Sequence, residues 1–145
     1  MAEYKNDEPC EFVYRVETVS KVVDGDTLDC VFDLGFDVMG KFRVRMLGID
    51  TPESRTRDLD QKRYGLAAKA RLRELLEKAE TITVKTAIDK KARGKYGRIL
   101  GTIYADNIDI NALLVEEGHA IEYFGGTKNA ARWWELNNNP LNKEM

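Results

Sequence analysis

Residues 12–36, "FVYRVETVSKVVDGDTLDCVFDLGF", decide the fold. The first half is dense in valine, tyrosine and threonine, side chains that suit a pleated surface, and it reads as a strand. It breaks at Asp24-Gly25-Asp26-Thr27, where Asp-Gly is a hairpin signal, and "LDCVFDLGF" reads as the returning strand. Working outward, "KFRVRMLGI" (41–49) is a third strand after a turn at Met39-Gly40, and "TITVKTAI" (81–88) is a fourth. "GRILGTIYA" (97–105) is a fifth, turned by Asp106-Asn107. Between the third and fourth, "YGLAAKARLRELLEKAE" (64–80) spaces Ala68, Leu72, Leu75, Leu76 and Ala79 as one apolar helical face. "DINALLVEEG" (109–118) reads as a short helix capped by Asp109 and stopped by Gly118, and a last helical stretch is expected around "NAARWWEL" (129–136). The pattern predicts a mainly β, α+β fold: a five-stranded OB-type Greek-key barrel with two to three helices.

At 145 residues the chain is one domain. The expected layout is a flexible tail over 1–10, the folded domain over 11–136 and a polar tail over 137–145. No apolar run approaches the length of a membrane span. The start, "MAEYKNDEPCEF", has neither a basic stretch nor an apolar core that would mark a secretory signal. Cys10 and Cys30 are too few for a disulfide framework and read as reduced thiols of a cytoplasmic protein; a mature secreted form stripped of its signal is the alternative. The net charge of −2 hides a split: residues 1–53 carry −6, residues 54–98 carry +8 and residues 99–145 carry −4. A basic middle on an acidic chain suggests one face for a polyanion.

Two groups of residues suggest chemistry. The acidic group is Asp24 and Asp26 in "DGDT", with Asp50 and Glu53 in "GIDTPES" (48–54). A polar turn would account for the second stretch alone. Together, Asp26, Asp50 and a backbone carbonyl near Thr51 supply the oxygen ligands that Ca²⁺ and Mg²⁺ prefer. Zinc is disfavoured, because His119 is the single histidine and the cysteines lack ligand spacing. The cationic group is Arg45 in "FRVRML" and Arg98 in "KYGR" (95–98). An arginine fork binds phosphate oxygens in pairs and stays charged at any working pH. Strict strand alternation would put Arg45 and Asp50 on opposite faces, so a bend is required, with Gly48 the candidate.

"VVDGDT", "VRMLGIDTPE", "KYGR" and "YAD", in that order, resemble the staphylococcal-nuclease-like (thermonuclease) family, from about Ser20 to Gly118. The resemblance implies a Ca²⁺-dependent phosphodiesterase on an OB-type barrel, cutting DNA or RNA with little sequence selectivity and leaving 3′-phosphate ends. Motif by motif, Asp26, Asp50 and the Thr51 carbonyl fall on the metal positions. Arg45 and Arg98 fall on the phosphate-binding arginines, and Glu53 on the carboxylate that activates or orients the attacking water. Lys95 and Tyr96 fall near a terminal phosphate. Tyr123 and Phe124 stand where the family has alternating base-stacking tyrosines. The "DCVFDLGFDVMGKF" hairpin (29–42) looks longer than in short family members. The expected partner is DNA and/or RNA, with no membrane, and the expected state is a monomer. The alternative is an OB-fold module that binds nucleic acid without cutting it.

Overall fold

The computed structural model describes residues 12–86 and 98–123. β1 (Val13–Asp24) runs antiparallel to β2 (Thr27–Asp33), and β2 to β3 (Met39–Met46). A short β4 (Ile49–Asp50) leads through the 51–58 loop to α1 (Leu59–Glu77). β5 (Ile82–Thr86) and β6 (Ile99–Ala105) form the next antiparallel pair, followed by β7 (Ile108–Asp109), α2 (Ile110–Glu116) and β8 (Ile121–Glu122). The sheet order is β3-β2-β1-β5-β6-β7, and β3 also pairs with β6 in parallel. That last pairing, Val44 with Ile99 through Met46 with Gly101, closes the five long strands into a barrel. The mainly β, OB-type α+β fold expected from the sequence is the one observed.

Closure depends on β1. Its first residues pair with β5 and the rest with β2, and register shifts after Val16, Val19 and Val22 bend it between the two. Bulges of this kind add local twist, which a small barrel needs to close. Inside lie Leu28, Phe32, Val44, Met46, Val84 and Ile103. Leu72 and Leu76 of α1, with Ile110 and Leu114 of α2, pack into the same buried core. Ala68 is fully buried while Leu75 and Ala79 pack at the margin, so the apolar face read from the periodicity is the packed face. Cys30 is buried in β2, and burial, with the Asp29 charge adding, pushes its thiol up to about 12. The thiol is therefore protonated at neutral pH and behaves as a small apolar core group.

Three local expectations need correction. α1 begins at Leu59, five residues before the apolar periodicity starts, because Asp58 caps it and accepts the N–H groups of Asp60 and Gln61. The loop between β4 and α1 is therefore only 51–58. Met39-Gly40 is not a turn but the start of β3; the turn spans Leu34–Val38, closed by Leu34 N–H to the Val38 carbonyl. The apolar run around "LGI" is not one strand: β3 stops at Met46 and β4 resumes at Ile49, pairing with β8. α2 matches its reading, with Asp109 accepting the Ala112 N–H. The expected helix near 129–136 lies outside the described residues. No helix among the described residues is long and apolar enough to cross a membrane.

Candidate active site

The β1–β2 turn supplies the first acid. Asp26 Oδ1 accepts the Thr27 hydroxyl at 2.9 Å, Oδ2 accepts the Thr51 N–H at 3.0 Å, and the Asp26 carbonyl accepts Met46 N–H. These bonds tie the turn to both the end of β3 and the loop after β4. The bend demanded by strand parity sits at Leu47-Gly48, with Gly48 at φ 78, a left-handed conformation that suits glycine. It brings Asp50 back to the face of Arg45. Arg45 Nη2 lies 3.3 Å from Asp50 Oδ1 and Nη1 lies 3.5 Å from Asp26 Oδ2, while Nη1 also donates to the Met46 carbonyl at 2.9 Å. All three side chains are about nine-tenths buried. One guanidinium thus marks a point on which two buried carboxylates converge.

Those carboxylates suit a hard cation. Thr51, whose N–H binds Asp26, is buried, and its hydroxyl oxygen has no hydrogen-bond partner among the described residues. A buried hydroxyl without a partner, on the residue that follows Asp50 and binds Asp26 through its N–H, is where a water or an ion is expected. Among the described residues no three acidic, imidazole or thiol side chains cluster to hold a metal. A cation here would therefore take two carboxylates and complete its shell with carbonyl, hydroxyl or water oxygens, a mixture Ca²⁺ accepts readily.

Glu53 stands exposed three residues beyond Asp50, on a backbone pinned from two sides. Ser54, buried, donates its hydroxyl and its N–H to Asp24 Oδ1. Behind it, α1 passes so close that a Cβ on Gly65 would lie 2.3 Å from the Glu53 carbonyl oxygen and 2.7 Å from Ser54 N. Alanine at 65 would gain roughly 1 kcal/mol of helix propensity. The contact with rigid backbone overrides that gain. Gly65→Ala is expected to lower stability by about 1–3 kcal/mol and to displace Glu53, so melting temperature and catalytic rate should fall together. A variant as stable and active as the wild type would show that the loop yields freely.

Arg98 is half-buried and immediately precedes Ile99, whose partner is Val44. Leu100 pairs with Arg45, and Arg98 shares the parity of Leu100, so the register puts both arginines on one face of neighbouring strands. The Tyr123 N–H donates to the Gly48 carbonyl at 2.8 Å, which holds the chain after β8 against the site's bend. Lys95, Tyr96 and Phe124 lie outside the described residues. Sequence reasoning missed Ser54, Asp24's use as its anchor, and Asn111. Asn111 is buried on α2, donates to the Leu47 and Gly101 carbonyls and accepts Ile103 N–H, fixing the bend from behind. A polar residue between Ile110 and Leu114 on a short apolar helix was the available signal.

The family model described as staphylococcal nuclease homologue matches residues 43–139 of the chain. The chain belongs to the staphylococcal nuclease homologue family. The match begins in β3 and takes in Arg45, Asp50, Thr51, Glu53 and Arg98. Among curated members of the family, Endonuclease YhcR of Bacillus subtilis is 34% identical over 112 residues, covering 73% of this chain and 9% of that protein. Endonuclease YncB of the same species is 32% identical over 104 residues, 71% of this chain and 46% of that protein. Micrococcal nuclease of Shigella flexneri is 32% identical over 119 residues, 76% of this chain and 59% of that protein. The chain spans less than two thirds of the length of each.

Proposed function

We propose that the chain is a Ca²⁺-dependent nuclease that hydrolyses phosphodiester bonds of DNA, with RNA as a second substrate, with little sequence selectivity and leaving 3′-phosphate ends. The observation that carries this reading is Arg45 held between buried Asp26 and Asp50, at 3.5 and 3.3 Å. A binding module has no need to bury two converging acids around a phosphate-binding cation. The names of the relatives, two endonucleases and a micrococcal nuclease, agree with it.

Asp26, Asp50 and the Thr51 carbonyl would hold the ion. Bound there, Ca²⁺ supplies Lewis-acid polarisation of a phosphate oxygen. Arg45 and Arg98 present forks to the same phosphate and stabilise the charge that builds on it. Glu53, exposed at the rim, orients the water and accepts its proton as the water oxygen attacks phosphorus. The bond to the 5′ oxygen would break, that oxygen would take a proton from solvent and leave as a 5′-hydroxyl, and the phosphate would stay on the 3′ side. Lys95 and Tyr96 would contact a terminal phosphate, and Tyr123 and Phe124 a base. The protein would work as a monomer.

Incubation of purified protein with plasmid and single-stranded DNA, in Ca²⁺, in Mg²⁺ and in chelator, tests the reading. Cleavage is expected with Ca²⁺, to stop in chelator, and to leave 3′ ends sensitive to phosphatase. Full activity in excess chelator would remove the metal from the mechanism. Binding without cleavage under all conditions would leave the module reading in its place.

A further inference from the structure

Arg45 is the inner end of a longer row. Phe42 and Val44 turn toward the core, so Met39, Lys41, Arg43 and Arg45 share the outer face of β3. Their partners across β2 are Asp33, Val31, Asp29 and Thr27. On the next strand, Lys21 stands beside Asp29. Arg45 is buried by the site loop, but Arg43, Lys41 and Met39 are exposed. The row ends at the β2–β3 turn, where Gly35, Phe36 and Asp37 have φ 83, 55 and 62. Phe36 is 101% exposed there, and Leu34, Val38 and Met39 are exposed around it. A bulky aromatic at positive φ is a strained choice. With no burial in return, the strain points to function.

Two acids of this face, Asp29 and Asp33, serve the hairpin itself, and a third, Asp37, stands exposed beside Phe36 in the turn. Asp29 accepts Arg43 Nε at 2.7 Å and Nη2 at 3.0 Å, and the Asp33 carboxylate accepts Gly35 N–H at 2.9 Å. The Arg43 guanidinium beside Asp29 holds that carboxyl below its ordinary range, so the pair stays ionised. Among the described residues Arg43 spends Nε and Nη2 on Asp29, which leaves its Nη1 donors for another acceptor. Lys41 has no ion pair among the described residues. Alternate residues of a strand lie ~6.6 Å apart, which is comparable to the spacing of successive phosphates on an extended nucleic-acid strand.

We propose that the outer face of β3 is a track for single-stranded nucleic acid. Phosphates follow Arg43 and Lys41 outward from Arg45 to Met39, six strand residues or about 20 Å away, and an unstacked base rests on Phe36 in the turn beyond Met39. An aromatic platform needs an exposed base face, which a single strand offers and an intact duplex does not. The face is continuous with the candidate site, and its cations match phosphate. The nuclease reading is what makes the bound strand a substrate; the binding itself does not depend on it.

The test is fluorescence anisotropy of a labelled single strand of about 12 nucleotides, within the site size of an OB fold, titrated with the intact chain in chelator. Phe36→Ala is expected to weaken binding about tenfold through lost stacking with an unchanged salt slope. Lys41→Gln with Arg43→Gln is expected to weaken it and to flatten the logarithmic salt slope by about 1.4, two single-strand phosphate contacts. Lys78→Ala, a charge removed on α1, should match wild type. All four positions are solvent-exposed, and thermal melts check that the variants fold. A wild type that does not bind, or Phe36 and Lys41/Arg43 variants with wild-type affinity and slope, overturns the track. Failure of the nuclease reading looks different: Ca²⁺ then produces no cleavage, while the affinity differences stand.

Discussion

Replacing Arg98 by alanine is expected to lower kcat by about 10²–10³-fold while the barrel stays folded. Arg98 enters β6 next to the parallel pairing that closes the barrel, on the face that carries Arg45. In the proposed mechanism a guanidinium there would meet a phosphate whose charge shifts toward the leaving oxygen, so its interaction would strengthen in the transition state and be felt in kcat. Lysine should recover little, because it restores the charge without the planar fork. Glu53→Gln should also reduce kcat, yet leave Ca²⁺ affinity nearly intact, because Glu53 is exposed beyond the two buried acids. Single-turnover rates and Ca²⁺ titrations on folded variants separate these effects. Wild-type rates in both variants would mean that Arg98 and Glu53 do not take part in cutting nucleic acid.

The barrel was legible because its strands are long, β-branched and punctuated by Asp-Gly and Asp-Asn. Even the need for a bend was legible: Arg45 and Asp50 have opposite parity, and Gly48 at φ 78 resolves it. What stayed hidden has two causes. Some signals were local but outweighed, as at the start of α1. Asp58 with Gln61 three residues later is a capping pair, yet the run between them and Tyr64 is too polar for a periodicity reading. Other features have no local signal. Ser54 reaches Asp24 across 30 residues, and Asn111 reaches Leu47 across 64. Only the closed barrel makes them neighbours. β8 pairs two residues with β4, too short a run to register as a strand. The fold could thus be read from periodicity, whereas the parts that hold Glu53 and the bend in place come from chain closure.

Arg45→Ala is expected to produce the largest change in stability and the most informative one. The Arg45 guanidinium is the counter-charge between Asp26 and Asp50, and all three side chains are buried. Removing one partner from a buried charge pair costs about 3–5 kcal/mol, because the remaining charges lose their compensation. In chelator the variant should therefore melt well below wild type. Ca²⁺ should then recover much of that loss. A ligand that binds only the folded state stabilises it in proportion to the logarithm of its saturation, and removing a neighbouring positive charge strengthens attraction of a cation to the two acids. The Ca²⁺-induced rise in melting temperature should be larger for Arg45→Ala than for wild type. Activity should stay lost at saturating Ca²⁺, since the ion replaces the charge but not the fork on the phosphate. Recovery of the melt without recovery of cleavage would separate two duties of one side chain. A melt that responds to Ca²⁺ no more than wild type would instead place the cation away from Asp26 and Asp50.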